Sequence, residues 1–310
     1  MTNLRKIGLT ALAGTLAATT AHAGDLTVTG TATMEYQSTQ ETINTNTDSF
    51  AQNGTIVFSG SGELDNGMGV SFMQALAGGT LTSQSVALDM GDMGTLSIAS
   101  LNMAGIGTVQ DMVPNAGEQP WDDLGTDGTE HGTPEQGVAS PHAGDRLGYS
   151  INVGGAIVSA AMNYAQNSPT TSAAIQLPNL VEGLNIGGGL AVDQQSATVE
   201  NDIETYYITY SMGPVSVGAQ QTKVDHQTAA SDIERDSYGI TFAVNENLSI
   251  GYGVSDTEFD AKSLDEENTG IQASYTSGGM TVGVVNNTKD NMGGANTDKE
   301  MTELKLTFAF

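Results

Sequence analysis

The sequence contains no cysteine, few basic residues and no long apolar segment, and each absence excludes a class of protein. Without cysteine, neither a disulfide scaffold nor a thiolate metal site can form. Only 9 residues are Lys or Arg against 36 Asp or Glu, and nucleic-acid binding needs clustered cations to replace phosphate counterions. No apolar run after Gly24 approaches the roughly 18 to 20 residues that a membrane-spanning helix requires. The chain is therefore either a soluble protein or a β-barrel.

Residues 1–23 have the pattern of a cleaved secretory signal peptide. Arg5 and Lys6 form a basic start, an apolar stretch follows, and Ala21-His22-Ala23 is an A-x-A cleavage pattern. The alternative is an amphipathic helix of the mature protein, which the absence of acidic residues disfavours. The sequence thus predicts an exported chain with one domain over 24–310. Loss of two basic residues makes this domain more acidic than the full chain, whose formal net charge is -27.

Apolar side chains alternate with small or polar ones along the exported chain, which is the period-two pattern of β-strands. The last segment, 302–310, reads TELKLTFAF and places leucine and phenylalanine on one parity and Glu, Lys, Thr and Ala on the other. The same alternation, interrupted by turn residues, predicts sixteen strands near 25–38, 52–64, 67–76, 82–90, 94–103, 145–153, 156–166, 172–179, 184–195, 201–211, 214–224, 234–245, 247–257, 267–276, 279–288 and 299–310.

The connections predict how these strands are joined. Every second one is tight and rich in turn residues, as in Asp65-Asn66-Gly67 and Gly154-Gly155, whereas the intervening ones are expected to be longer and polar. Short and long connections alternate in this way in antiparallel transmembrane β-barrels. A soluble β-sandwich has the same strand pattern. Sixteen strands, an export signal and aromatic residues near strand ends favour the barrel: Tyr36, Tyr164, Tyr206, Tyr210, Tyr238 and Phe310.

Four segments resemble Gram-negative general porins of the alphaproteobacterial type. GSGELDNGMGV at 60–70 resembles their second strand, turn and third strand, while GDRLGYSI at 144–151 and YITYSMGPVSVGAQ at 207–220 resemble other strand motifs. The terminal Phe310 resembles the signal read by the outer-membrane assembly machinery. The resemblance covers essentially all of 24–310. It implies a homotrimer of sixteen-stranded barrels in outer-membrane lipid and lipopolysaccharide, each with its third outer loop folded into the lumen as a constriction.

The long connection at about 104–143 lies where the resemblance places that loop, and it far exceeds the usual loop of roughly 4–6 residues. Folded inward, its carboxylates would favour cations at the narrowest point, where low-dielectric walls focus the field. A solvated acidic loop on the outer surface is the alternative. The acidic candidates, with no Lys or Arg among them, are Asp111, Glu118, Asp122, Asp123, Asp127, Glu130 and Glu135.

The resemblance also implies inward-pointing basic residues on the wall opposite this loop. By parity the candidates are Arg146, Arg235 and Lys305, and Arg146 lies in the matching DRLGYS segment. Arg146 could instead anchor the loop by pairing with Asp145 or another carboxylate. The lone Trp121 is expected to pack on the wall. The remaining basic residues that we place in or beside outer loops, as solvated side chains or partners of lipopolysaccharide, are Lys262, Lys289 and Lys299.

Little in the sequence indicates a cofactor or catalysis. Calcium is the one ion left open, through Asp122, Asp123 and Asp127 or the triplet Asp265-Glu266-Glu267, although neither set has EF-hand spacing. The exported chain has three histidines, all in predicted loops, and no hydrolase or phosphate-loop motif: His131, His142 and His226. We therefore expect no enzyme.

The leading functional hypothesis is a water-filled outer-membrane channel for passive diffusion of small hydrophilic solutes and ions, with a mild cation preference. A substrate-selective porin is the first alternative, and saturable block of conductance by its solute would identify it. A secreted, non-membrane β-rich surface protein is the second, and it would partition into water rather than detergent.

Overall fold

A computed structural model describes residues 26–41, 46–100, 103–121, 124, 146–163, 169–196, 199–227 and 232–310. β-Strands make up most of this part, which also contains 3₁₀ turns at Gly91–Met93, Gly105–Val109 and Met292–Gly294. None of the helical turns in these ranges is long and apolar enough to cross a membrane. The predicted signal peptide, 1–23, lies outside the described residues.

The strands in the described ranges number sixteen, as the alternation predicts. They are β1 (Thr27–Glu41), β2 (Thr47–Glu63), β3 (Gly69–Ala77), β4 (Thr80–Asp89), β5 (Thr95–Ala99), β6 (Arg146–Val153), β7 (Ala156–Asn163), β8 (Thr170–Val181), β9 (Leu184–Ser196), β10 (Val199–Met212), β11 (Val215–His226), β12 (Ile233–Ala243), β13 (Leu248–Phe259), β14 (Glu266–Ser277), β15 (Met280–Asp290) and β16 (Lys299–Ala309).

Each strand pairs antiparallel with its neighbours in sequence, and β1 pairs with β16 to close a barrel. At this seam the Gly30 amide donates to the Phe310 carbonyl at 3.2 Å, and the Phe310 amide donates to the Gly30 carbonyl at 2.9 Å. Because the described strands close on themselves, this sheet has no open edge, whose unpaired backbone groups hydrocarbon could not satisfy. The predicted sixteen-stranded antiparallel barrel is confirmed.

The two faces of the wall are the reverse of those in a soluble protein. On β13, Ile250 and Tyr252 point outward and are each 44% exposed, whereas Ser255 and Thr257 point inward and are 3% and 0% exposed. Large apolar side chains on the outer surface recur around the barrel, including Phe72 on β3 and the outward residues of β10 and β12. An apolar outer band around a polar interior is the pattern of a barrel that faces lipid.

Tight turns depend on glycine. Gly154 and Gly155 join β6 to β7 with φ values of +61° and +91°, the left-handed backbone that two-residue hairpin turns require. Gly78 and Gly79 join β3 to β4 in the same way, with φ values of +57° and +81°. The expectation that every outer connection is longer is therefore wrong for the connection between β3 and β4, because two glycines suffice to reverse the chain there.

Two strand boundaries differ from the predicted ones by several residues. β2 begins at Thr47 rather than 52, because its ladder with β1 continues to the pair Thr39 and Thr47. The rings of Tyr36 and Phe50 lie 5.2 Å apart in this added stretch. β5 ends at Ala99 rather than 103, where the chain leaves the wall and starts the long connection.

Candidate pore constriction

The described part of the long connection, 103–121, runs along the inside of the barrel, and we call it the loop segment. Two hydrogen bonds hold its 3₁₀ turn, Gly105–Val109, against the inner wall. The Gly105 amide donates to Ser159 Oγ on β7 at 3.0 Å, and the Ile106 amide donates to Ser172 Oγ on β8 at 3.3 Å. The predicted inward fold of the loop is thus confirmed for this segment.

An apolar patch on the inner wall receives this turn. Ile106 and Val109 are fully buried and pack in one cluster with inward side chains of β8 to β11, with Met112 against its edge. Apolar inner-wall residues are unusual in a water-filled barrel, and here their cost is removed because the loop segment covers them. The wall residues of the patch are Ala174, Ala191, Ile203, Tyr207 and Val224.

Three wall glutamines hold the backbone of the loop segment farther along. Gln176 Nε2 donates to the Thr108 carbonyl at 2.8 Å, and Gln220 Nε2 donates to the Val109 carbonyl at 2.9 Å. Gln220 Oε1 accepts from the Met112 amide, and Gln272 Oε1 accepts from the Ala116 amide, both at 2.8 Å. Side-chain amides both donate and accept, so they can satisfy backbone groups of a loop that has no ladder of its own.

The segment reaches β16 through a charged group that we call the Lys305 cluster. Lys305 Nζ lies 2.8 Å from Glu303, 3.1 Å from Glu118 and 3.9 Å from Glu35. Glu118 belongs to the loop segment, whereas the other three residues project from the inner faces of β1 and β16. Lys305 was expected to face the acidic loop from across the lumen, but it contacts a loop carboxylate directly.

A second charged group, the Glu266 cluster, lies on the inner wall nearer the outer ends of the strands. Glu266 Oε1 is 3.4 Å from both Arg235 and Lys289, and Glu266 Oε2 accepts from the Gly293 amide at 2.8 Å. Arg235 Nε also donates to Thr257 Oγ1 at 2.7 Å. The cluster therefore ties the outer connection between β15 and β16 to the wall.

The positions of Arg235 and Lys289 in this cluster differ from the positions that the sequence predicts. Arg235 is on the inner face, as its parity predicts, but it is 3% exposed and bound to a carboxylate, so it does not line the open lumen. Lys289 is expected in or beside an outer loop as a solvated side chain or a partner of lipopolysaccharide, yet it lies within β15 and its side chain is 1% exposed. Lys299, expected at the rim, lies 3.8 Å from Glu41.

The calcium candidate at 265–267 is also not assembled, because Glu266 points inward and its neighbour Glu267 points outward. Within the described ranges, no group of three His, Asp or Glu side chains is arranged to hold a metal. His226, expected in a loop, is the last residue of β11.

The other predicted site residues are placed as follows. Asp111 is exposed, with a left-handed φ of +50°. Arg146 begins β6 on the inner face and is half-buried, away from β16 and the Lys305 cluster. Trp121 is 5% exposed and its Nε1 donates to Gln119 Oε1 at 2.8 Å, so its ring is not an open stacking surface. The acidic candidates that lie outside the described residues are Asp122, Asp123, Asp127, Glu130 and Glu135.

Phe310, the predicted assembly signal, ends the chain at the barrel seam. Its backbone is paired with Gly30, and its side chain is 79% exposed on the outer surface.

A closed antiparallel barrel with an apolar outer wall, a polar interior and a loop laid along its inner wall defines the class of transmembrane β-barrel channels. Comparison with solved structures supports this class. The anion-selective porin from Comamonas acidovorans matches with a TM-score of 0.71 at 14% identity, over 93% of this chain and 100% of that one. OmpF from Salmonella typhi, solved with daunomycin, matches with a TM-score of 0.69 at 12% identity, over 93% and 98%. OmpT from Vibrio cholerae matches with a TM-score of 0.66 at 11% identity, over 94% and 100%.

The sequence profile of the Gram-negative porins matches residues 8–282. The chain therefore belongs to the Gram-negative porin family, whose members are outer-membrane channels and not enzymes. No curated protein sequence matches it significantly.

Proposed function

We propose that this porin is a diffusion channel for small hydrophilic solutes with a mild preference for cations. The observation that carries the proposal is the Lys305 cluster, in which three carboxylates surround one ammonium group beside the loop segment. With all four groups ionised, the cluster has a net negative charge. A permeating ion within about 8 Å of it, one Debye length at physiological salt, would be only partly screened.

Two further observations on the placement of charge support the same preference. Arg235 and Lys289 are the buried inner-wall cations of the Glu266 cluster, and both lie beside its carboxylate rather than in the open lumen. Asp111 is exposed on the loop segment. The balance of 36 acidic to 9 basic residues in the whole chain agrees with this local arrangement.

The structural match to an anion-selective porin does not argue for anion selectivity here, because a likeness at 14% identity carries the fold alone. Selectivity depends on which charged side chains line the narrow part of a channel, and a barrel can support either sign.

Reversal potential in planar bilayers under a salt gradient tests the proposal. The wild-type protein should give a potential on the cation side, and the double variant Asp111→Asn with Glu118→Gln should shift it towards anions. Asp92→Asn, in the exposed turn Gly91–Met93, removes a carboxylate away from the loop segment and is the matched control. An unchanged potential in the double variant would reject the role of the loop carboxylates.

We also propose the homotrimer that the family resemblance implies. Its support is the outer face of β1 and β2, where Gly30, Ala32 and Gly54 stand in place of the bulky side chains found on most of the wall. Small side chains allow a neighbouring barrel to approach closely. Native mass spectrometry in detergent tests this, and a purely monomeric species would contradict it.

Export and assembly complete the proposal. Cleavage after Ala23 predicts a mature chain that begins at Gly24, which N-terminal sequencing of the membrane-extracted protein checks. If Phe310 is the assembly signal, its deletion should leave the protein unfolded in the periplasm, whereas Phe310→Tyr, which keeps an aromatic ring, should assemble.

A further inference from the structure

The inner wall of β11 to β14 carries a straight row of glycines beneath the loop segment. Gly218 on β11 pairs with Gly239 on β12, Gly239 pairs with Gly253 on β13, and Gly253 pairs with Gly270 on β14. These four residues, which we call the glycine row, lie within strands, where a glycine is less stabilising than an alanine because it loses more backbone entropy on folding. Turn formation does not explain four glycines that lie in register within strands.

The loop segment lies directly on this row. A β-carbon at Gly218 would be 2.5 Å from Pro114 Cδ, and one at Gly239 would be 2.5 Å from the Pro114 carbonyl oxygen and from Val113 Cγ1. Farther along, a β-carbon at Gly253 would be 2.8 Å from Pro120 Cγ. One at Gly270 would meet Asn287 Oδ1 of the neighbouring strand and would be 2.9 Å from Pro120 Cβ. The row is thus a groove, one side chain deep, that Pro114 occupies at Gly218 and Gly239 and Pro120 occupies at Gly253 and Gly270.

The loop segment, rather than the wall, should yield if the groove were filled. The strands beneath are held by backbone ladders on both sides, whereas the segment is held by single side-chain contacts such as those of Gln220 and Gln272. An ordinary contact to a β-carbon begins at 3.4 Å, so the 2.5 Å contact at Gly239 must lengthen by 0.9 Å, the difference of the two distances. That movement is directed away from the wall, into the lumen.

We propose that the glycine row sets the aperture of the channel: it lets the loop segment lie against the wall, and any side chain in the row narrows the pore. This inference rests on the proposed function as a diffusion channel. The row residues act through the loop and need not touch the solute, so they are positioning residues that determine the size limit for passage.

Substitution of Gly239 tests the proposal through the size of the pore. Single-channel conductance in planar bilayers should fall in Gly239→Ala and fall further in Gly239→Val. Swelling of proteoliposomes should show a greater loss of rate for large sugars than for small ones. Gly283→Ala is the matched control, because it adds the same methyl group to the inner face of β15, where the nearest atoms are 4.0 Å away on Lys305. Its conductance and size limit should equal those of the wild type.

The unheated mobility of each variant on SDS gels reports whether the barrel folds. If Gly239→Val does not fold, the conductance and size limit of Gly239→Ala and Gly253→Ala test the proposal instead. Folded row variants with wild-type conductance and size limit, or with higher conductance, would overturn the proposal. A wild-type protein that folds but does not conduct would instead reject the diffusion channel itself, so the two failures are distinguishable.

Discussion

Neutralising Glu266 should destabilise the barrel strongly, because this one carboxylate lies between two buried cations. In Glu266→Gln the side chain keeps its shape, and its amide oxygen can still accept from the Gly293 amide. The negative charge is lost, and the amide nitrogen that replaces Oε1 can no longer accept from Asn268 Nδ2, at 3.0 Å, or from Arg235 Nη2, at 3.4 Å. Arg235 and Lys289, which are 3% and 1% exposed, then lose the carboxylate that lies 3.4 Å from each of them.

The expected loss in the free energy of unfolding follows from the cost of breaking a buried ion pair. Removing one partner of such a pair typically lowers the free energy of unfolding by about 3–5 kcal/mol, since the remaining charge stays desolvated. Arg235 keeps its hydrogen bond to Thr257, which favours the lower end of that range. A loss of about 3 kcal/mol is a factor of roughly 10² in the unfolding equilibrium.

Trp121 provides the assay, because it is the single tryptophan of the chain and is buried inside the barrel. Its fluorescence during a guanidinium titration in detergent micelles should report a lower midpoint for Glu266→Gln. The control is Glu267→Gln, which makes the same change at the next residue, on the exposed outer face, and should stay within about 0.5 kcal/mol of the wild type. Equal midpoints for the two variants would refute the reasoning.

Three further predictions concern the loop segment. Lys305→Met removes the only cation of the Lys305 cluster, so the reversal potential in a salt gradient should move farther to the cation side; a shift towards anions would contradict the assigned charge balance. Gln220→Ala loses three hydrogen bonds, two of them to the loop backbone, and should cost about 1–3 kcal/mol and increase open-channel noise in bilayer recordings. Ile106→Ala removes most of a fully buried side chain and should lower the free energy of unfolding in the same titration by about 2–5 kcal/mol. The control is Ile98→Ala, which makes the same change on the lipid-facing outer wall, where no loop packs on the side chain.

The period-two pattern was sufficient to predict the number and order of the strands, because each strand exposes one face to lipid and the other to the interior. The boundaries were less predictable. At β2 the pattern weakens before Gly54, because Asp48 and Gln52 share the outward parity with Phe50, so the predicted strand begins too late. Only the ladder with β1 reveals that it continues to Thr47.

The contacts of the site depend on residues far apart in sequence, which alternation cannot bring together. Glu118 and Lys305 are 187 positions apart, and their pairing depends on how far the loop segment travels around the wall. The prediction places Lys289 in or beside a loop because the predicted strand ends at 288, two residues before the observed end at Asp290. The glycine row was hidden for a different reason: each of its members reads as an ordinary small inward residue until the register aligns them.

The seam between β1 and β16 has a consequence for biogenesis. The first and last strands of the barrel are partners, so the wall cannot be completed before the chain has been delivered as far as β16. Until β16 is available, β1 has one edge of unpaired amides and carbonyls, and any shorter product retains that edge. A chain that ends before β16 therefore cannot form the closed wall, however completely its other strands pair.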